Sequence, residues 1–145
     1  MVLGVFRLNG FFLHAADGLT AGSGLTTARW QVLRAVFHEP LTVAGAARNM
    51  GLTRQTVQRV ADALVAEGLC RYLPNPAHRR AKLLAPTERG LRAIQHLVPR
   101  VTAWSEHVLD AVGAKTIRSA NDSLQGLLPA LLDCQEELLH DARTG

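Results

Sequence analysis

Cysteine is scarce in this chain: Cys70 and Cys134 are the two among 145 residues. That excludes a disulfide scaffold and a cysteine-rich zinc site, and it suits a reducing cytoplasm. Long apolar runs are missing as well. The longest are a few residues, such as 2–6 with Gly4 inside it, so no segment reads as a membrane span. The apolar N-terminus has no positive charge ahead of it and is interrupted by Arg7, Asn9 and His14, which argues against a cleaved secretory signal. No G-x-S-x-G, H-E-x-x-H, P-loop or paired-carboxylate constellation occurs, so the chain reads as non-enzymatic. His14, His38, His78, His96, His107 and His140 are scattered, and none forms a tight ligand spacing with a cysteine or an acid pair, so neither a metal nor a cofactor is expected. What is present is an ordinary folding composition, 48% apolar and 19% charged, which excludes a mostly disordered chain.

The charge is unevenly spread. The net charge is +4. Residues 41–100 carry ten cations (Arg48, Arg54, Arg59, Arg71, Arg79, Arg80, Lys82, Arg89, Arg92, Arg100) against Asp62, Glu67 and Glu88, hence +7. Residues 101–145 carry three cations against seven acids, hence −4, and residues 1–40 carry +1. A basic middle with an acidic end points to a polyanion partner for the middle.

The pattern along the chain is mostly helical. Residues 3–21 read as a first helix with Phe6, Leu13 and Ala16 among its apolar positions and a soft spot at Gly10. Thr26 or Thr27 can cap a second helix to about Phe37, with Trp30, Leu33 and Phe37 on one face. Thr42 can cap a short helix over 43–50, stopped by Gly51, and Thr53 can cap a longer one over 54–67, stopped by Gly68. Two caps and two glycine stops bracketing a short helix, a tight turn and a longer helix form a helix-turn-helix layout. After Gly68 the residue types change. Residues 69–73 and 81–85 read as strands around Pro74-Asn75-Pro76, making a hairpin with a basic tip, and Pro86 fits an edge strand. Thr87 can cap the next helix. The last 55 residues carry apolar positions every three or four residues, and Pro129 is expected to kink the last helix locally.

The chemistry sits in the middle. On a helix starting at Arg54, Val57, Val60, Ala61 and Leu64 face inward, while Arg54, Gln55, Gln58 and Arg59 project elsewhere and Thr56 lies at the boundary. Arginine and glutamine read base edges bidentately in the major groove, and threonine can contact a thymine methyl. These residues cluster in the first two turns, where a recognition helix meets bases. A solvated polar face is the plain alternative. The hairpin tip adds Asn75, His78, Arg79, Arg80 and Lys82, and a basic loop there can reach a narrow minor groove.

In this order, the stretches LTTARWQVLRAV, LTVAGAARNMGLTRQTVQRVADALVAEGL and PNPAHRRAKLLAPTERG resemble the MarR family of winged-helix transcriptional regulators. The most specific part is the last, a wing tip leading into a threonine-capped helix. The resemblance implies a mainly α fold with a small β-hairpin wing, an α+β winged helix-turn-helix. It implies one domain over 1–145, with a DNA-binding lobe at 25–100 and a helical dimerisation region at 1–24 and 101–145. It implies a cytoplasmic homodimer on a pseudo-palindromic double-stranded operator, with the recognition helix in the major groove and the wing in the minor groove. The expected contacts are Thr42, Thr53, Arg54, Gln55, Thr56, Gln58 and Arg59, with His78, Arg79, Arg80 and Lys82 from the wing. The resemblance also implies a repressor of its own or neighbouring genes, released by a small aromatic ligand. His14, Trp30, Phe37 and Trp104 are the aromatic positions expected to border such a pocket, and each can equally be core. Asn75 and His78 stand where the family's wing carries acids, which makes this wing more cationic.

Phe6, Leu13, Ile117, Leu124, Leu131 and Leu138 are the expected intersubunit seam, with an ordinary buried core as the alternative. Both cysteines read as buried structural thiols. The competing function is a winged-helix protein–protein module with no DNA target of its own.

Overall fold

The computed structural model describes residues 2–144, with side chains described as far as Leu131 and again at Cys134. The chain forms α1 (Val2–Thr20), α2 (Thr27–Ala35), β1 (Leu41–Thr42), α3 (Val43–Met50), α4 (Arg54–Ala66), β2 (Cys70–Leu73), β3 (Leu83–Pro86), α5 (Glu88–Val112) and α6 (Ala114–Thr144). It divides into two compact units at Val101 and Thr102. Among the described residues, six helices and a three-stranded antiparallel sheet make the winged helix-turn-helix that the family resemblance implies.

The caps fall where the side chains dictate. Thr26, rather than Thr27, caps α2, its hydroxyl accepting from the Arg29 N–H at 3.3 Å. Thr42 Oγ1 accepts from the Gly45 N–H at 3.0 Å and Thr53 Oγ1 from the Thr56 N–H at 3.2 Å. Each such cap contributes about 1 kcal/mol. Gly51 ends α3 at φ +63°, a left-handed conformation that a side chain disfavours, and the Leu52 N–H then reaches the Ala47 carbonyl at 3.0 Å. The turn at Gly68 (φ +70°) repeats the pattern, with the Leu69 N–H on the Leu64 carbonyl at 2.8 Å.

The core of the first unit joins Val32, Leu33 and Val36 of α2, Ala46 and Ala47 of α3, Val57, Ala61 and Leu64 of α4, Leu84 of β3, and Ile94 and Leu97 of α5. The predicted inward face of α4 is buried at Val57, Ala61 and Leu64, with Val60 half-buried beside them. The sheet order is β1-β3-β2. Tyr72 pairs Leu84 on one side of β3, and Leu41 pairs it on the other.

Five expectations need correction or limits. β1 has no forerunner in the residue pattern; two residues become a strand because Leu83 and Leu84, forty positions later, supply the partner. β3 is the middle strand, not an edge; Pro86 is tolerated because β1 pairs only Leu83 and Leu84, so beyond them β3 has a neighbour on one side only. Cys70 is buried, and burial pushes its thiol up to about 12, but Cys134 is exposed, on a helix face that this chain leaves uncovered. The side chain of Leu138 lies outside the described residues. α6 continues as helix through Pro129. Among the described residues, no helix is long and apolar enough to cross a membrane.

The start of α5 is the tightest joint in the first unit. Thr87 Oγ1 donates to the Gly68 carbonyl at 2.7 Å, and the Gly90 N–H reaches the same hydroxyl at 3.1 Å. A Cβ on Gly90 would stand 2.1 Å from the Leu69 carbonyl oxygen and 3.2 Å from Leu33 Cδ1. Only a residue with no side chain lets α5 approach this backbone. Helix propensity alone predicts that Gly90→Ala stabilises by up to about 1 kcal/mol. The clash predicts the reverse, a net loss of about 2 kcal/mol, which lowers the melting temperature by about 4–8 °C. Thermal unfolding followed by circular dichroism separates the two, and a melt equal to or above that of the parent chain contradicts the tight joint.

Candidate nucleic-acid interface

α4 begins at the Thr53 cap, and in its first two turns Val57 is buried while Arg54, Gln55 and Arg59 are exposed and Thr56 and Gln58 half-buried. Thr56 also meets Thr53 through its hydroxyl at 2.8 Å. Across a cleft of about 320 Å³ stands the returning arm of the wing. Thr42, Val43, Arg54, Gln58, Tyr72, Arg80 and Lys82 are among its lining residues. Thus the structure gathers Thr42, Arg54, Gln58, Arg80 and Lys82 around one cleft. Gln55 and Arg59 join Arg54, Gln58 and Asp62 on a second, shallower depression along α4. His78 and Arg79 sit exposed at the wing tip and line neither.

The wing tip is shaped by its own backbone bonds. Asn75 accepts from the Ala77 N–H at 3.0 Å through its side chain, and its carbonyl accepts from the His78 N–H at 3.3 Å. The Ala81 N–H reaches the His78 carbonyl at 3.1 Å. Asn75 therefore orders the turn without adding a negative charge beside Arg79 and Arg80.

The electrostatics separate two kinds of arginine. Arg29 pairs with Glu67 at 2.5 Å, and Arg89 donates to the Glu67 carbonyl at 2.8 Å. Arg100 donates to the carbonyls of Leu19 and Ala21 at 3.2 and 2.7 Å, and Arg92 pairs with Glu88. Arg29, Arg89 and Arg100 are thus engaged by the scaffold, while the Arg92–Glu88 pair is an exposed contact at 3.6 Å. Among the described residues, Arg54, Arg59, Arg79, Arg80 and Lys82 have no ion-pair partner. Neither α3 nor α4 has an acid in its first turn, so two positive helix ends and five cations face outward with no acid of either helix's first turn to offset them. Such a surface is disfavoured alone and relieved by a polyanion.

Sequence reasoning missed two residues of this site. Asp62 enters the sequence reading only as a charge, and Tyr72 only as part of the strand over 69–73. The Tyr72 hydroxyl donates to Asp62 Oδ1 at 2.7 Å. Gln58 Nε2 donates to the same carboxylate oxygen at 2.9 Å and to the Tyr72 hydroxyl at 2.8 Å. The spacing of Gln58 and Asp62, one helical turn apart, was the available signal for the first bond. Nothing in the order of residues announced Tyr72, which the hairpin brings back over α4.

The aromatic residues expected to border a ligand pocket are only partly gathered. Trp30 lines a depression of about 610 Å³ together with Asn9, Leu13, Arg34, His38 and Met50. His14 and Phe37 are not among its lining residues; Phe37 meets the His38 ring edge-on at 5.0 Å and lies under the Arg34 guanidinium at 5.8 Å. Trp104 belongs to the second unit. Among the described residues, no group of three or more His, Cys, Asp or Glu is placed to hold a metal ion.

Burial, followed by the hydrogen bond to Asp62 and its negative charge, pushes the Tyr72 hydroxyl up to about 12 from a usual 10. A raised folded-state value means that the folded chain holds this proton more tightly than the unfolded chain. The associated stability is intact below pH 10 and is lost as the pH climbs from 10 toward 12. Tyr72 is the sole tyrosine, so absorbance at the phenolate band reports it alone. The midpoint is expected near 12 in the parent chain and lower in Asp62→Ala, which removes the bond and the charge but leaves the burial. A parent midpoint at 10 contradicts the bond.

Comparison with known proteins agrees with this geometry. The model of the MarR family matches residues 23–81. An uncharacterized protein of Mycobacterium tuberculosis is 40% identical over 131 residues, covering 90% of this chain and 92% of that protein, and a Mycobacterium bovis protein matches to the same degree. The structure is similar to CouR from Rhodococcus jostii RHA1 bound to p-coumaroyl-CoA, with a TM-score of 0.75, 27% identity, and 86% of this chain and 88% of that one covered. A MarR-family transcriptional regulator from Rhodococcus sp. RHA1 matches with a TM-score of 0.73 at 27% identity over 86% and 89%. The fold is also that of the M. tuberculosis transcriptional regulator MOSR, solved in complex with DNA, with a TM-score of 0.75 and 24% identity over 92% and 96%. With its helix-turn-helix, basic wing and threonine-capped α5 in that order, the chain belongs to the MarR family of winged-helix transcriptional regulators.

Proposed function

We propose that this regulator is a sequence-specific DNA-binding repressor that works in the cytoplasm as a homodimer on a pseudo-palindromic operator. One observation carries the reading: Arg54, Arg80 and Lys82 converge on a single cleft between α4 and the wing, with no acid paired to any of them. Arg54, Gln55, Thr56, Gln58 and Arg59 supply the major-groove and phosphate contacts. Thr42 and Thr53 leave the first N–H groups of α3 and α4 free to face phosphates. Arg79, Arg80, Lys82 and His78 carry the wing into the flanking minor groove.

The second copy is the cover for the apolar surface that one chain leaves bare. Phe6 and Leu13 of α1 are exposed, as are Val2, Leu3, Val5 and Phe11; Ile117, Leu124 and Leu131 of α6 are exposed too. A stable monomer rarely leaves so many large apolar side chains in water on either helix. The depression on Trp30, with Arg34 and His38 at its rim, fits a small aromatic anion that releases the DNA. CouR, which is similar in structure, is bound to p-coumaroyl-CoA, a ligand with an aromatic acyl group at one end.

Fluorescence anisotropy against duplex DNA across a salt series tests the reading. With about five phosphates neutralised per protomer, the log–log slope is expected to be steeper than about −4, at roughly −0.9 per phosphate. Arg80→Ala is expected to weaken specific binding by about 1–3 kcal/mol with the dimer intact. A flat salt dependence contradicts DNA binding and favours a protein–protein module instead; an unchanged affinity in Arg80→Ala removes the wing from the interface.

A further inference from the structure

Gln58, Asp62 and Tyr72 form a closed ring of hydrogen bonds on the groove-facing side of α4. The chemistry of the ring fixes which way the Gln58 amide points. Asp62 Oδ1 is an acceptor only, so the group facing it at 2.9 Å is the amide nitrogen. The Tyr72 hydroxyl spends its single proton on Asp62, so toward Gln58 it can only accept. A flipped amide would set its oxygen against a carboxylate oxygen and against a hydroxyl with no proton left to give. Both hydrogens of Nε2 are thereby used, and a primary amide has no others.

The remaining group is Oε1. Among the described residues it has no hydrogen-bond partner, and no buried polar side-chain atom is left without one, so Oε1 is reached by solvent. Gln58 lines both the cleft shared with Arg54, Arg80 and Lys82 and the depression shared with Gln55 and Arg59.

We propose that Gln58 reads the major groove as a pure acceptor, held in that state by Asp62 and Tyr72 as positioning residues. The usual bidentate pairing of glutamine with adenine needs an amide hydrogen on N7, and here none is available. The partners left are bases that offer an amino hydrogen in the major groove, adenine N6 and cytosine N4, while guanine O6 and thymine O4 are acceptors and are refused. The side chain therefore selects an amino base over a keto base without separating adenine from cytosine. The ring rests on a strand of the hairpin as well as on α4, so the base preference of the recognition helix depends on the wing being folded against it. The proposal rests on the DNA-binding reading above.

The test is selection of bound sequences from a randomised duplex library by the parent chain, Gln58→Ala, Tyr72→Phe and Asp62→Ala, each verified as folded by its melting temperature. The parent chain is expected to enrich adenine and cytosine over guanine and thymine by about tenfold at one position in each half-site, the lower end of what a bidentate pair carries, because this contact is a single bond set against oxygen–oxygen repulsion with the keto bases. Gln58→Ala is expected to lose that preference at the same position. Tyr72→Phe frees one amide hydrogen for N7 and is expected to favour adenine over cytosine there. Asp62→Ala leaves the amide unanchored and is expected to admit guanine and thymine. A Gln58-dependent position that is unchanged in both ring variants overturns the proposal and leaves DNA binding standing, as does a parent preference for guanine or thymine there. A parent chain that enriches no duplex overturns the DNA-binding reading and this proposal with it. The Tyr72 titration, which needs no DNA, then reports whether the ring itself exists.

Discussion

The fold of the first unit turns on the contact between the start of α5 and the backbone at Leu69. Gly90 lies against the Leu69 carbonyl so closely that a single methyl would collide with it. Thr87 binds the carbonyls of Gly68 and Leu69 with one hydroxyl and caps α5 with the same atom. The end of α4, the beginning of β2, the end of β3 and the beginning of α5 therefore meet within one turn of chain. Arg89 adds a bond to the Glu67 carbonyl, and Glu67 in turn holds Arg29 of α2. α4 and the wing are two arms leaving this joint, and the angle between them is set there rather than at their outer ends.

The basic character of the middle segment is divided by that architecture. Arg29, Arg89 and Arg100 are spent on carbonyls and Glu67, where a planar, permanently charged guanidinium can satisfy several acceptors at once. Arg54, Arg59, Arg79, Arg80 and Lys82 are left without acids. The acids that remain nearby are used in ways that keep the cations free. Glu67 faces the scaffold. Asp62 is engaged by Gln58 and Tyr72, so its charge orders neutral side chains instead of neutralising a cation. Asn75 closes the wing turn without a charge. A cleft lined by Arg54, Arg80 and Lys82 beside two helix N-termini follows from this economy of acids.

Much of this was readable from short-range rules. Thr42 and Thr53 as caps, Gly51 and Gly68 as stops, and the burial of Val57, Ala61 and Leu64 depend on neighbours within one or two turns, and the observed helices end within a residue or two of the predicted limits. Phe6, Leu13, Ile117, Leu124 and Leu131, spaced as apolar seam positions in the sequence, are exposed in the single chain. The wing was legible because Pro74 and Pro76 forbid helix between two runs of strand formers. What failed was long-range. β1 is a strand only because Leu83 and Leu84 come to lie beside it. Pro86 sits in the middle strand only because β1 stops short of it. His14 and Phe37 look like pocket residues by type, but the position of α1 against α2 brings Asn9, Arg34 and His38 to Trp30 instead.

The division follows from how far each interaction reaches. Caps, glycine stops, helical periodicity and the surplus of arginine over acid are properties of adjacent residues, and the sequence by itself determined them, together with the winged-helix class they imply. The hydroxyl of Tyr72 on Asp62, the approach of Gly90 to Leu69 and the convergence of Arg54 with Arg80 join residues 10, 21 and 26 positions apart, across a turn, a strand or a whole hairpin. Their distances depend on the summed geometry of every element between them, which no local pattern encodes. Only the tertiary structure decided which arginines are free, and which hydrogen of Gln58 is not.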